Sequence, residues 1–337
     1  MKKNKTVNVG PVTKNYHFSL KLSIPFFFLI VIGATIYFLW NPHGETQKNY
    51  IEKVYANTHF ENTIENAVPQ TEIYNIISDH FNSELPEGKT AKKAIVIGYD
   101  GCRDDVLVNI DSKSDGAINK LLNGGGKMVV SYCGGVPCPQ KNTQDTSTAP
   151  GWCSMLTGCL ADVHGITANG IVKSNDHLTL LTTLVEDKTI NSSAFYVSWK
   201  GHFVNDNSTY RAEKEYISDK KLDVTFECAK NDKGTRANML ADVKSADCSD
   251  FIFGILEYCD HAGHQTGFYG NNLRYKSAFK TADAAGEEII NAIEARETFE
   301  SEDWLIVVTS DHGGIGRAHG GPSIQERYTF IAANKEF

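Results

Sequence analysis

From residue 92 onward the chain consists of short apolar runs, several ended by glycine or by residues that carry chemistry. The runs cover residues 94–97, 128–130, 194–197, 251–256 and 304–308, and they are rich in β-branched side chains. Runs of this length, bounded by turn signals, predict strands buried on both faces. Between several of them lie stretches with helical periodicity, clearest over 277–295. Alternating strands and helices predict an α/β domain with a largely parallel sheet. Such sheets bind ligands beyond the carboxyl ends of their strands, so the residues that follow each run carry the functional information. With 337 residues, 41% of them hydrophobic and 22% charged, the chain has ample material for one sizeable core.

One segment departs from this globular texture. Residues 22–40 carry no charge, and their number is close to the ~20 apolar residues that cross a ~30 Å hydrocarbon layer. Lys2, Lys3, Lys5, Lys14 and Lys21 precede the segment, whereas the first acidic residue, Glu45, follows it. That asymmetry predicts a cytoplasmic N-terminus and an extracytoplasmic remainder. Tyr37 and Trp40 suit the outer interface, and no small-residue cleavage site follows them. The expected organisation is a cytoplasmic tail over 1–21, a transmembrane signal anchor over 22–40, a juxtamembrane stalk over 41–91 and a catalytic domain over 92–337. Within the stalk, Ile73, Ile76, Ile77 and Phe81 show helical periodicity. A net charge of −8 argues against binding a nucleic-acid polymer, which calls for a basic surface. Of the eight cysteines, Cys133 with Cys138 and Cys228 with Cys248 are candidate disulfides, though spacing alone fixes no pairing. Cys102 and Cys259 suit small buried thiols.

Three runs end in candidate metal ligands. The first leads into Asp100-Gly101, where a lone Asp is equally suited to a turn. Residues 251–256 lead into Asp260-His261-Ala262-Gly263-His264, and residues 304–308 into Asp311-His312, with His319 in a second glycine-rich turn. Asp oxygens and His nitrogens suit zinc, and two divalent ions ~4 Å apart need about six protein groups. Asp100, Asp260, His264, Asp311, His312 and His319 supply six. A nucleophile candidate lies in Ser147-Thr148-Ala149-Pro150-Gly151-Trp152, where a helix is expected from about Trp152 to a stop at Gly158. A hydroxyl there would meet a phosphoryl group at a helix N-terminus, or would only cap the helix. On local grounds Ser147, Thr148 and Ser154 are all candidates. Trp199 and Lys200, after the run 194–197, are candidate substrate contacts through stacking and charge.

Asp100 in Gly-Tyr-Asp-Gly, the segment from Thr148 to Gly158, residues 164–169, Asp260 to His264 with Gly267, and Ser310 to Gly314 occur in one order. This ordered set resembles the type I phosphodiesterase/nucleotide pyrophosphatase branch of the alkaline phosphatase superfamily, over about residues 92–335. The resemblance implies an alkaline phosphatase-like core and a metal-dependent hydrolase of phosphoric ester bonds that uses two Zn²⁺ or other divalent ions. Matched position by position, it selects Thr148 as the nucleophile. It assigns Asp260, His264 and His319 to one zinc, and Asp100, Asp311 and His312, with the Thr148 oxygen, to the other. Asn169 resembles the Asn that contacts a phosphoryl oxygen, while His164 and His261 take structural roles. The resemblance implies phosphodiester hydrolysis through a phosphothreonine, with phosphomonoester hydrolysis, phosphonate hydrolysis and phosphoryl transfer as alternatives and an inactive binding protein less favoured; the charge asymmetry places it outside the cytoplasm, and the leaving group and oligomeric state stay open. Two departures bear on the substrate. His319 follows Asp311-His312 closely, which leaves little chain for the insertions that build a nucleotide pocket, and Pro150-Gly151-Trp152 stands where those enzymes commonly carry Phe-Pro-Asn. A sulfatase is disfavoured, because Thr148-Ala149-Pro150-Gly151-Trp152 has neither a formylglycine precursor nor the Arg that follows one.

Overall fold

A computed structural model describes residues 67–109, 115–135 and 143–337. The expected tail and transmembrane anchor, residues 1–40, lie outside the described residues, as does Cys138. Among the described residues no helix is long and apolar enough to cross a membrane.

The described chain alternates strands and helices. It begins with β1 (Val68–Pro69), α1 (Glu72–Asn82), β2 (Ala91–Tyr99), α2 (Ala117–Asn123) and β3 (Lys127–Tyr132). Next come α3 (Thr148–Thr157), α4 (Ala161–His164), α5 (Leu180–Glu186), β4 (Ser193–Val197), α6 (Arg211–Lys220) and β5 (Val224–Cys228). It closes with α7 (Asp232–Lys244), β6 (Phe251–Leu256), α8 (Tyr258–Thr266), α9 (Leu273–Glu294), β7 (Glu302–Thr309), α10 (Ile324–Arg327) and β8 (Tyr328–Ala333). The strands form one sheet in the order β1-β3-β8-β7-β2-β6-β4-β5. Among the described strands only β8 runs against its neighbours, β3 and β7. The fold is therefore α/β with a mostly parallel sheet, as the alternation of runs and helices predicts.

Helices cover both faces of the sheet, which explains the continuous apolar runs. Ile95, Ile97 and Tyr99 of β2 face one core with Phe279, Ile289 and Ile293 of α9. Ala94 and Val96 face the other, with Trp152, Met155 and Leu156 of α3. Each large apolar side chain fully buried in this way contributes ~1.5–3 kcal/mol. Helix α9 presents its buried residues every three or four positions and is capped by Asn272, whose side chain accepts from Arg274 N–H.

Three expectations need correction. Residues 41–66 of the expected stalk lie outside the described residues, whereas its described end packs into the core: Ile73, Ile76, Ile77 and Phe81 of α1 join the same cluster as Trp152 and Phe253. Their helical stripe is apolar because α1 seals one face of the sheet. The run 128–130 does form strand β3, but Met128 and Val130 are 39% and 43% exposed, since β3 lies near the sheet edge beside the two-residue β1. Cys228 and Cys248 are both free thiols. Helix α7 separates them, running from the carboxyl end of β5 back to the amino end of β6. Its 13 residues span roughly 20 Å at ~1.5 Å per residue, far beyond disulfide reach.

The placement of α1 has a measurable consequence. Ile77→Ala should lower the unfolding free energy by ~2–5 kcal/mol in urea denaturation, the cost of a large cavity in a core. A loss under ~0.5 kcal/mol, ordinary for a surface position, would return α1 to the status of a detachable stalk.

Candidate metal centre and its catalytic hydroxyl

Strand register delivers the acidic groups to one edge. Gly98 pairs with Thr309 and Tyr99 with Leu256, so β2, β7 and β6 end at one level. The residues just beyond are Asp100, Glu257 and Ser310-Asp311. Backbone bonds then tie the turns together: Asp260 N–H donates to Asp100 O at 3.0 Å, and Gly101 N–H to Asp311 Oδ1 at 3.1 Å. Gly101 has φ +65°, and a Cβ there would come within 2.9 Å of Asp260, so only glycine permits this approach. Helix α8 carries Asp260 and His264 four residues apart, on one face. A short turn, with Ile315 bridged to Ala318, brings His319 back to them.

The three histidine rings are oriented by carbonyls. Nδ1 of His264 donates to Arg317 O at 2.9 Å, that of His319 to Thr146 O at 3.1 Å, and that of His312 to Gly313 O at 2.6 Å. A carbonyl oxygen can only accept, so each Nδ1 carries the hydrogen, which leaves Nε2 of a neutral ring as a lone pair facing inward; at His312, which two carboxyls keep charged, Nε2 carries a proton until a cation displaces it. His264 Nε2 and His319 Nε2 then face each other at 3.2 Å, and lie 3.4 and 3.6 Å from Asp260 Oδ1. His312 Nε2 lies 3.5 Å from both Asp100 Oδ1 and Asp311 Oδ2. Ligands ~2.0–2.2 Å from a tetrahedral zinc stand ~3.4 Å from one another, so both sets have the span of a zinc shell. Asp260 Oδ1, Asp311 Oδ2 and His312 Nε2 are buried without a hydrogen-bond partner. Acceptors orphaned in this way fit a cation. The ligand atoms of Asp100, Asp311 and His312 lie within 4.8 Å of one another, as do those of Asp260, His312 and His319, so the two groups adjoin at His312.

Without a cation this cluster is electrostatically frustrated. Burial and the Asp100 charge push the Asp311 carboxyl well above the usual carboxylate range. Burial and Asp100 likewise push Asp260 up to about 6. Burial opposes charge on His312, yet Asp311 and Asp100 outweigh it and push the imidazole up to about 10. Asp100 alone among the three carboxyls is held low, because contact with His312 and the Trp152 N–H outweighs its burial.

Thr148 is the first residue of α3 and stands over this cluster. Its Oγ1 lies 3.4 Å from Asp100 Oδ1. The helix begins four residues earlier than the break at Pro150-Gly151 predicts, because Pro150 falls in the first turn, where its missing N–H costs nothing. The Asn169 side chain accepts from Ala149 N–H at 2.8 Å, which caps α3 from outside and leaves the Asn169 amide N–H₂ for another partner. The segment carrying Asn169 is anchored by a buried ion pair, Lys173 to Glu213, at 3.3 Å. Ser154 is buried between Gln144 and His164, at 2.9 and 3.1 Å, and cannot meet a substrate. Ser147 is buried as well. His164 serves structure, its Nδ1 accepting from Ile166 N–H at 3.0 Å.

Asp100, Thr148, Asn169, Asp260, His264 and His319 line one cleft, with Trp199, Glu257 and His261 completing its wall. Two expectations change here. Lys200 is exposed and does not line the cleft; its carbonyl instead closes the loop by accepting from Val204 and Asn205 N–H. His261, expected to be structural, faces the cleft, with Nε2 3.2 Å from Glu257 Oε2. That bond is the main force pushing His261 up to about 9. Glu257 gave no motif signal, but its place directly after the run 251–256 is the position where function was to be sought.

The family described as type I phosphodiesterase/nucleotide pyrophosphatase matches residues 94–316. No curated protein sequence is similar enough to count as a relative. Similar solved structures include murine ectonucleotide pyrophosphatase/phosphodiesterase 5, with 18% identity and a TM-score of 0.44. That match covers 66% of this chain and 57% of the murine one. The phosphonate monoester hydrolase of Agrobacterium radiobacter matches with 13% identity and a TM-score of 0.46, over 72% of this chain and 68% of that one. The alkaline phosphatase of the Antarctic bacterium TAB5 matches with 14% identity and a TM-score of 0.41, over 73% and 91%.

The charge state of His312 makes stability depend on pH. Its folded value, about 10, lies above the ordinary imidazole value of 6.5, because Asp311 and Asp100 favour the charged ring. The stabilisation is therefore complete below pH ~6.5 and is lost as pH rises toward ~10. In chelator-treated protein, urea unfolding should show stability falling between pH 7 and 9, and His312→Asn should flatten that slope. A wild-type curve without the fall would contradict this electrostatic picture.

Proposed function

The chain belongs to the type I phosphodiesterase/nucleotide pyrophosphatase family of the alkaline phosphatase superfamily, and on that premise we propose that it is a two-zinc phosphoesterase that hydrolyses phosphodiester bonds through a phosphothreonine at Thr148. One observation carries this reading: the Nε2 atoms of three histidines and the carboxyl oxygens of three aspartates gather in two adjoining sets with spacings of 3.2–3.6 Å, beside the Thr148 hydroxyl. The neutral pairing of a cap or a turn would not leave acceptors facing acceptors.

Asp260, His264 and His319 would hold one zinc, and Asp100, Asp311, His312 and Thr148 Oγ1 the other. When bound, the ions supply positive charge that lowers the pKa of a nearby hydroxyl and neutralises phosphoryl oxygens. Thr148 Oγ1, 3.4 Å from Asp100 Oδ1, gives its proton to water and attacks phosphorus; the P–O bond to the leaving group breaks, and the departing alkoxide takes up a proton from water. The Asn169 amide, with its oxygen fixed on Ala149 N–H, turns donors toward a non-bridging oxygen. Water then cleaves the phosphothreonine and restores Thr148. Trp199, at the wall of the cleft, would pack against the leaving group.

The proposal extends to location. The charge-free residues 22–40 behind five lysines would anchor the chain, with the catalytic domain outside the cytoplasm. Protease added to intact cells should digest the catalytic domain and spare the N-terminal tail; a catalytic domain protected until lysis contradicts that topology.

The catalytic claim rests on Thr148. Thr148→Ala should lose more than ~100-fold in turnover, while Thr148→Ser keeps measurable activity. Acid quenching with a labelled substrate should trap phosphate on the peptide that contains Thr148. A Thr148→Ala enzyme near the wild-type rate, destabilised only by the ~1 kcal/mol of a lost cap, would make the residue a cap and end the nucleophile assignment.

A further inference from the structure

Trp152 lies four residues after Thr148 in α3, and the mechanism above does not use it. Its indole is fully buried. Nε1 donates a 2.9 Å hydrogen bond to Asp100 Oδ2. The other carboxylate oxygen, Oδ1, is the one that faces His312 Nε2 at 3.5 Å and Thr148 Oγ1 at 3.4 Å. The terminal torsion of an aspartate is soft, and a free carboxylate can offer either oxygen or both. The indole N–H removes that freedom by holding Oδ2 away from the cluster.

The ring that delivers this N–H is itself fixed. It meets the Phe253 ring edge-on, with centroids 5.6 Å apart at 83°. It also lies against Gly98, two residues before Asp100 on β2, where an added Cβ would stand 2.5 Å from the indole Cη2. Helix α3 thus carries Thr148 at its first position and, four residues on, the donor that orients the carboxylate beneath Thr148. The nucleophile and the ligand geometry are set by one rigid turn.

We infer that Trp152 is a positioning residue whose indole N–H fixes the orientation of Asp100 and thereby sets the affinity of the Asp100–Asp311–His312 group for its metal ion. The inference rests on the two-metal reading. A hydrogen bond from the surroundings to a ligating carboxylate typically changes metal affinity 10–100-fold when lost. A tryptophan that only fills space would act differently: its loss would lower stability and weaken both metal sites together.

The test is a zinc titration of the metal-stripped full chain against a chromophoric chelator, with thermal unfolding measured alongside. The wild type should take up two zinc ions. W152F, which keeps a packed ring but lacks the N–H, should bind one of the two 10–100-fold more weakly and the other within about threefold of wild type. Both affinities within threefold of wild type in a folded W152F would overturn the inference and leave the two-metal reading intact. A parallel loss at both sites that tracks the melting temperature would overturn it in favour of a packing role. A wild type that takes up no zinc would overturn the two-metal reading and this inference with it. Should W152F fail to fold, the benzothienyl isostere of tryptophan at position 152, with sulfur in place of N–H at similar volume, carries the same comparison.

Discussion

Acceptors facing acceptors are the constraint on which the rest of the structure depends. Asp100 and Asp311 bring ligand oxygens within 4.8 Å of each other. Were both ionised, they would repel by on the order of 3–4 kcal/mol at an effective dielectric constant of ~20, and the Asp311 carboxyl is accordingly pushed upward. His264 and His319 add two nitrogen lone pairs at 3.2 Å. A chain gains nothing from such an arrangement unless a cation offsets it. The carbonyls of Arg317, Thr146 and Gly313 aggravate the conflict, because they hold the hydrogens on the outer nitrogens. A cation at the centre would satisfy these groups together, whereas without one protons on Asp311 and His312 relieve the conflict only in part.

The scaffold is built to hold the groups against that repulsion. Both faces of the central strands are buried, so β2, β6 and β7 cannot shift register without exposing core residues. Arg103, itself buried, reaches from the turn after β2 to the carbonyls of Phe268 at 2.7 Å and Gly314 at 3.2 Å. Those carbonyls belong to the segments that follow α8 and β7, so one guanidinium fastens all three ligand-bearing turns. On the opposite wall, Glu213 accepts from Thr179 N–H at 2.8 Å and from the Thr179 and Thr182 hydroxyls at 2.7 Å, and pairs with Lys173. An enclosed pair of this kind is satisfied by geometry rather than by solvent, and it holds down the segment that carries Asn169.

What the sequence revealed follows from what has a local signature. The runs at 94–97, 251–256 and 304–308 became central strands, and their chemistry lay where parallel sheets place it. β5 was harder to find because it reads Val-Thr-Phe-Glu-Cys, with apolar residues alternating with polar ones. Strand β8 runs antiparallel, outside the alternation that located the others. Helix α1 looked like a stalk because periodicity shows an apolar face without saying what covers it. The residues that gather in the cleft were legible through resemblance together with their places after strands. The roles of Glu257, His261 and Trp152 were not, because each acts through a side-chain contact that only folding creates. Lys200 illustrates the converse: a cation next to a strand end attracted a role, yet its side chain turns to solvent.

Anomalous diffraction at the zinc edge, from crystals of the protein grown with zinc, tests the central claim most directly. The account predicts two peaks ~4 Å apart. One should lie within ~2.2 Å of Asp260, His264 and His319, and the other within ~2.2 Å of Asp100, Asp311 and His312. A cluster without an anomalous peak at saturating zinc, its histidine rings turned away from one another, would contradict it.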